Sequence, residues 1–235
     1  MYFRATLSTF VLFISMTTST EGAINQTPPW KSPCGKTTIP PSFLASLGPI
    51  LKQAVPIKRM LHNVIIELKE TDEKVEAIQQ YYVRQKFVDA VEANIIQGEE
   101  SNLHHIIGFP VYKGIQDNDT IEDVFYRDYE TFSSVLVFLE QSSWDVVTMS
   151  GDTQSVLQMY KSVISKILGI LCKYSNSMEN RNITYVSRDI MQDEDREVAI
   201  ESRLLRKRDF IILKDLRVLL KKMIPDYALL KQSTP

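Results

Sequence analysis

Cysteine and histidine are the scarcest reactive residues in this chain, with two and three copies among 235 residues. Neither Cys34 nor Cys172 sits in a Cys-x-x-Cys pair, the arrangement that lowers a thiol pKa for redox catalysis. His62, His104 and His105 build no His-Glu-x-x-His pattern, and no Gly-x-Ser-x-Gly elbow is present. Adjacent side chains such as His104 and His105 point in different directions on most backbones, which does not suit the ligand spacing of metal sites. The eight glycines are scattered, mostly over loop-like stretches, and form no phosphate-cradling motif. Strand-type alternation and internal repeats are missing as well. The net charge of −2 gives no global argument for nucleic acid or membrane binding. The chain therefore reads as a non-enzyme without metal or cofactor.

What is present begins with an export-like leader. Residues 1–4 hold one positive charge at Arg4, residues 5–16 are mostly apolar, and residues 17–23 are small and polar. That order is the one of a secretory signal peptide, with an apolar run too short to span a bilayer. Cleavage is expected between Ser19 and Ala23, which divides the chain into a leader at 1–22, an arm at 23–41 and a single domain at 42–235. No later stretch reads as a transmembrane helix, so a secreted, extracellular protein is expected. In an oxidising compartment a lone cysteine pair in one domain is most simply one disulfide, the alternatives being two free thiols or pairing to another chain. Closing so long a loop would contribute about 4–5 kcal/mol in the chain-entropy picture. Glycosylation sequons at Asn25, Asn118 and Asn182 fall in the arm and in loop-like segments, where a bulky glycan fits.

The arm carries Pro28, Pro29, Pro33, Pro40 and Pro41, and an apolar stretch at 42–55 is interrupted at Gly48-Pro49. Pro56 suits the first position of a helix. From there Ile57, Leu61, Val64, Leu68, Thr71, Val75, Ile78 and Tyr82 recur at the three-to-four spacing of one buried helix face. Residues 98–118 read as a long loop. Thr120 and Asp123 then form a capping box for a second helix, with Ile121, Phe125, Phe132, Leu136 and Leu139 on one face, ending near Gln141. After a short linker at 142–151, Asp152 caps a third helix striped by Val156, Tyr160, Val163, Ile167, Ile170 and Tyr174. A polar connection at 175–195 leads to a fourth helix from about Arg196 to the C-terminus. Ile212, Leu216, Leu219, Met223 and Tyr227 stripe it, and Lys214, Arg217, Lys221 and Lys222 lie mostly off the stripe. Pro225 is expected to kink or weaken its end.

Four helices linked long, short, long suggest an all-α, long-chain four-helix bundle in up-up-down-down order. The basic run at 203–208 (RLLRKR) reads first as a solvated helix face, and otherwise as a receptor contact or a weak heparin site. Trp144 in the short linker and Trp30 in the arm read either as exposed anchors or as packed on the bundle. A small apolar ligand in the bundle core, making the chain a secreted helical carrier, is the rival functional reading.

Several segments resemble interleukin-6-type cytokines. The run DFIILKDLRVLLKKMIPDYALLK at 209–231 resembles the last helix of that family, most of all in the subgroup of leukemia inhibitory factor, oncostatin, ciliary neurotrophic factor and cardiotrophin. YRDYETFSSVLVFLE at 126–140 is similar to the subgroup's tyrosine-rich second helix, and ILGILCKYSNSMENRNITYV at 167–186 to the end of its third. The resemblance implies a bridge between Cys34 and Cys172, a monomeric ligand without an active site, and assembly of class I cytokine receptors. The first would be a gp130-like chain meeting faces of the first and third helices, with JAK-STAT signalling as the outcome. A second chain, such as a leukemia inhibitory factor receptor-like one, would meet the start of the fourth helix. The family's Phe-x-x-Lys motif aligns with Arg203 and Arg206, so the basic member is kept and the aromatic one replaced. Arg203, Arg206, Lys207 and Trp144 are the candidate receptor contacts.

Overall fold

The computed structural model describes residues 27–35, 56–97, 105–148, 154–178, 183, 186–197 and 202–234. The expected leader, the sequons at Asn25 and Asn182, the apolar stretch at 42–55, His104 and the Asp152 cap lie outside the described residues. Among the described residues the chain is all helix and connection, with no strand.

Helix α1 spans Ile57–Arg84. Pro56 stands just before it and its carbonyl accepts the Arg59 N–H at 2.8 Å, so this proline caps the helix rather than occupying its first turn. The expected stripe from Leu61 to Tyr82 is buried, joined by Ile65 and Gln79, whereas Ile57 is 38 % exposed. α1 ends where Lys86 adopts φ 55°, and the short α2 follows at Ala90–Gln97. The connection from His105 to Thr120 is loop, as expected, but Ile106 and Phe109 of this strap are buried, with the Phe109 ring 5.2 Å from that of Phe138.

Helix α3 spans Ile121–Thr148. The Thr120–Asp123 box forms as read: the Asp123 carboxylate accepts the Thr120 N–H at 3.0 Å, and the Thr120 hydroxyl accepts the Asp123 N–H at 3.2 Å. This helix does not stop near Gln141. Ser142, Asp145 and Val146 are buried, so residues expected to form a linker continue the helix and carry Trp144 on it. Helix α4 spans Gln154–Ser177 with its whole predicted stripe buried. By length and composition it is apolar enough to cross a membrane, contrary to the expectation for the mature chain. Its stripe faces the core, however, and Lys166 and Lys173 on another face pair with Glu70 and Glu67 of α1.

The second long connection contains a 3-10 turn at Arg188–Ile190 and the short α5 at Asp193–Glu197, after which α6 runs Ser202–Ser233. The fourth long helix thus begins later than Arg196. It stays helical through Pro225, where the sequence predicts a kink or a weakened end. Pro225 is exposed, while Met223 and Tyr227 on either side are buried anchors. The C-terminal turn is closed by Thr234, whose hydroxyl donates to the Leu230 carbonyl at 2.7 Å.

All four long helices contribute to one core. At one end Tyr174 stacks between Phe125, at 4.9 Å, and Tyr227, at 6.3 Å, joining α3, α4 and α6 through ring contact. Large side chains of this kind each contribute about 1.5–3 kcal/mol when fully buried. Lys58 at the start of α1 donates to the Thr234 carbonyl beyond α6, while Tyr82 at the end of α1 donates to Asp209 near the start of α6. Cys34 and Cys172 are bonded, across 138 residues of sequence, and Trp30 beside them is fully buried. Its indole donates to the Val186 carbonyl at 2.9 Å, which resolves the two readings of this tryptophan toward packing.

Candidate functional site

The predicted contact residues fall at the end of the fold where α1 finishes, α3 finishes and α6 begins. A buried polar network holds that end. Asp209 accepts from Ser142 at 2.8 Å and from Tyr82 at 3.3 Å, and Tyr82 lies 3.3 Å from the Tyr160 hydroxyl of α4. Arg208 donates to Asp209 at 2.5 Å, to Asp145 at 2.6 Å and to the Asp195 carbonyl at 2.8 Å. Burial pushes the Asp209 carboxyl above the ordinary carboxylate range, against the pull of Arg208. Burial also works against the Arg208 charge, but Asp209 and Asp145 outweigh it and hold the guanidinium above its usual pKa. Arg208 therefore is not part of a solvated basic face: it is 4 % exposed and ties α3, α5 and α6 together. Lys214, expected off the buried stripe, is likewise 5 % exposed, where it pairs with Asp215 at 2.8 Å.

The two neighbouring cations are held by the segment after α1. The Arg206 guanidinium sits 3.8 Å from the centre of the Phe87 ring, a cation–π contact, and Lys207 pairs with Glu92 of α2 at 2.6 Å. Phe87 is itself fixed edge-on against Tyr81 and Tyr82, at 5.9 and 5.7 Å. Arg206 and Lys207 are thus brought together, half-buried, on the α2 side. Arg203 lies on the α6 backbone, but its side chain is outside the described residues. Trp144 lies on the last turns of α3, next to the Asp145 that Arg208 holds, and is 49 % exposed.

Three exposed apolar residues at this end escaped the sequence reading: Val91 of α2, Val147 of α3 and Leu204 of α6. Val147 follows Trp144 by three positions, so both share one helix face. Extending α3 past Gln141 would have revealed the pair. Leu204 sits one turn before Arg208 on α6. The helix ends at this side of the fold therefore carry both exposed apolar residues, Trp144, Val147, Leu204 and Val91, and the half-buried cations Arg206 and Lys207.

The α1 and α4 faces carry the ion pairs Glu67–Lys173, at 2.6 Å, and Glu70–Lys166. Of the remaining predicted positions, Asn118 is exposed in the turn before α3 and open to glycan attachment. His105 contacts Asp215 at 2.7 Å, latching the strap onto α6. No group of residues suited to hold a metal occurs among the described residues. Comparisons with protein-family models, with curated proteins and with solved structures found no match.

Proposed function

We propose that the chain is a secreted long-chain four-helix cytokine of interleukin-6 type, binding class I receptors through the end described above. The observation that carries this reading is the way the helix ends meet. Lys58 reaches Thr234 while Tyr82 reaches Asp209, which supports α1 running antiparallel to α6. Tyr227 donates to Asp128 while Ser142 donates to Asp209, supporting the same relation between α3 and α6. Ser177 contacts Met60 while Tyr160 contacts Tyr82, supporting it between α1 and α4. Together these relations fit the up-up-down-down order of hormone and cytokine bundles, with the strap and the second connection as the long crossovers.

Receptor contact is assigned to Trp144 and Leu204, with Arg206 and Lys207 at the rim. Aromatic and arginine side chains dominate the energy of protein interfaces, and an exposed tryptophan has the composition of such an anchor. A gp130-like chain and a second chain, such as a leukemia inhibitory factor receptor-like one, are the proposed partners, with JAK-STAT signalling as the outcome. The test is STAT phosphorylation in cells bearing a gp130-like receptor of the same species, using purified protein. The wild-type chain should signal, and Trp144→Ala with Leu204→Asp should reduce potency by roughly thirtyfold, the effect of losing one interface hot spot. Circular dichroism should be unchanged. No response from the wild type in any such cell would overturn the reading.

A further inference from the structure

A second surface lies along the first half of α1, whose Lys69 is about 22 Å from Arg84 at the helical rise per residue. Here the start of α1 and the end of α6 enclose an open groove of about 540 Å³. It is lined by Lys58, His62, Ile65, Ile66 and Lys69 from α1 and by Ala228, Lys231 and Gln232 from α6. Ile66 remains 41 % exposed there. No acidic residue lines the groove.

Several cations elsewhere on the helices are neutralised by carboxylates. Lys166 and Lys173 pair with Glu70 and Glu67, Lys207 with Glu92, Arg217 with Asp72, and Arg127 with Asp119. In the groove the partners are neutral. Lys58 donates to the Thr234 carbonyl at 3.1 Å, and Lys231 sits 3.1 Å from the His62 ring nitrogen. Among the described residues no carboxylate pairs with Lys58, Lys69 or Lys231. Ammonium groups with no carboxylate beside them leave unfilled an attraction that an incoming anion would supply.

We infer that this groove docks an acidic amphipathic helix of a partner protein. Both helices contribute cations, and along α1 the isoleucines Ile65 and Ile66 lie between Lys58 and Lys69, so the matching ligand carries carboxylates to either side of an apolar stretch. Lys58 and Lys69 are eleven positions apart, about 16 Å along α1, which is the length of three helical turns. An apolar stripe laid between two helices is the helix-in-groove mode of recognition. A single fatty-acid carboxylate would engage one end of this row only. A sulfated sugar chain would leave Ile65, Ile66 and Ala228 without an apolar partner. The chain's own residues 36–55 contain Lys36 and Lys52 and no acid, so their charge does not complement the groove.

The experiment titrates the mature, disulfide-intact protein into a fluorescein-labelled helical peptide with leucines at i, i+3 and i+4 spacing and glutamates on both flanks. A lysine-flanked peptide with the same leucines, oleate and a heparin-derived oligosaccharide are run in parallel. The glutamate peptide should bind saturably, weaken with salt, and lose roughly tenfold or more in affinity in Lys58→Glu/Lys69→Glu/Lys231→Glu, the loss of three exposed ion pairs. Ile66→Asp should lower its affinity too. The lysine peptide should bind at least tenfold more weakly. Absent binding of the glutamate peptide, an affinity unmoved by the charge reversals, or tighter saturable binding of oleate or the oligosaccharide at the same residues would overturn the inference.

Discussion

Replacing Asp128 by asparagine should make the protein more resistant to unfolding as pH rises through neutrality. Asp128 faces inward from α3, fully buried, with Oδ2 accepting from the Tyr227 hydroxyl at 2.7 Å and Oδ1 without a hydrogen-bond partner among the described residues. Burial pushes its carboxyl from 3.8 up to about 7; the Tyr227 hydrogen bond and Arg127 pull the other way, and Asp226 and Asp119 add repulsion. A carboxyl raised in the folded state keeps its proton there while the unfolded one has lost it. Stability is therefore full below the unfolded pKa, falls as pH rises, and levels off once the folded group ionises. A shift of about three pKa units corresponds to about 4 kcal/mol in total. Of this, about 2–3 kcal/mol falls between about pH 5 and pH 8. Asparagine keeps an acceptor for Tyr227 and cannot ionise. Urea unfolding of both proteins at these two pH values gives the comparison, in which every other titrating group cancels. The variant-minus-wild-type difference should grow by about 2–3 kcal/mol toward the higher pH. An unchanged difference would refute a buried carboxyl that is neutral in the acidic half of this window.

Removing the Arg208 charge with methionine should cost about 3–5 kcal/mol in chemical denaturation, because Asp145 and Asp209 would be left buried without their cation. A loss below about 1 kcal/mol would place the pair in a far wetter environment than its burial indicates. Gly108→Ala should cost about 1–3 kcal/mol, since Gly108 has φ 81° and an added Cβ would stand 2.6 Å from the Ile190 carbonyl. Gly35→Ala, at φ 73° with open space around it, isolates the backbone part of that cost and should lose about 1 kcal/mol, both read from thermal unfolding.

The apolar part of the fold was legible because burial on a helix leaves a period. Leu61 to Tyr82 and Val156 to Tyr174 appear in the core as the spacing predicts. What periodicity could not reveal is polar burial. Ser142 and Asp145 look like linker residues until Arg208 and Asp209 arrive from a helix more than sixty positions away to satisfy them. The same reason hid the true placement of Lys214 and Arg208, whose charges suggest solvent while their partners are inside. Pro225 stands on the exposed side of a helix that continues past it. Of the candidate site, the sequence indicated Arg206, Lys207 and Trp144 but not Phe87, whose ring holds Arg206 only because the chain turns back after α1. Spacing along one helix cannot report a neighbour brought in by a turn.

The polar contacts between α3 and α6 also set which residues face one another along these helices. Apolar stripes such as Phe125 to Leu139 and Ile212 to Tyr227 tolerate sliding, because one leucine-sized residue packs much like the next. Asp128 with Tyr227, Ser142 with Asp209 and Asp145 with Arg208 do not. A slip of one helical turn, about 5.4 Å, would strand all three at once in the interior. The two helices therefore have a single alignment fixed near both ends, so that Trp144 and Leu204 are held at a constant spacing.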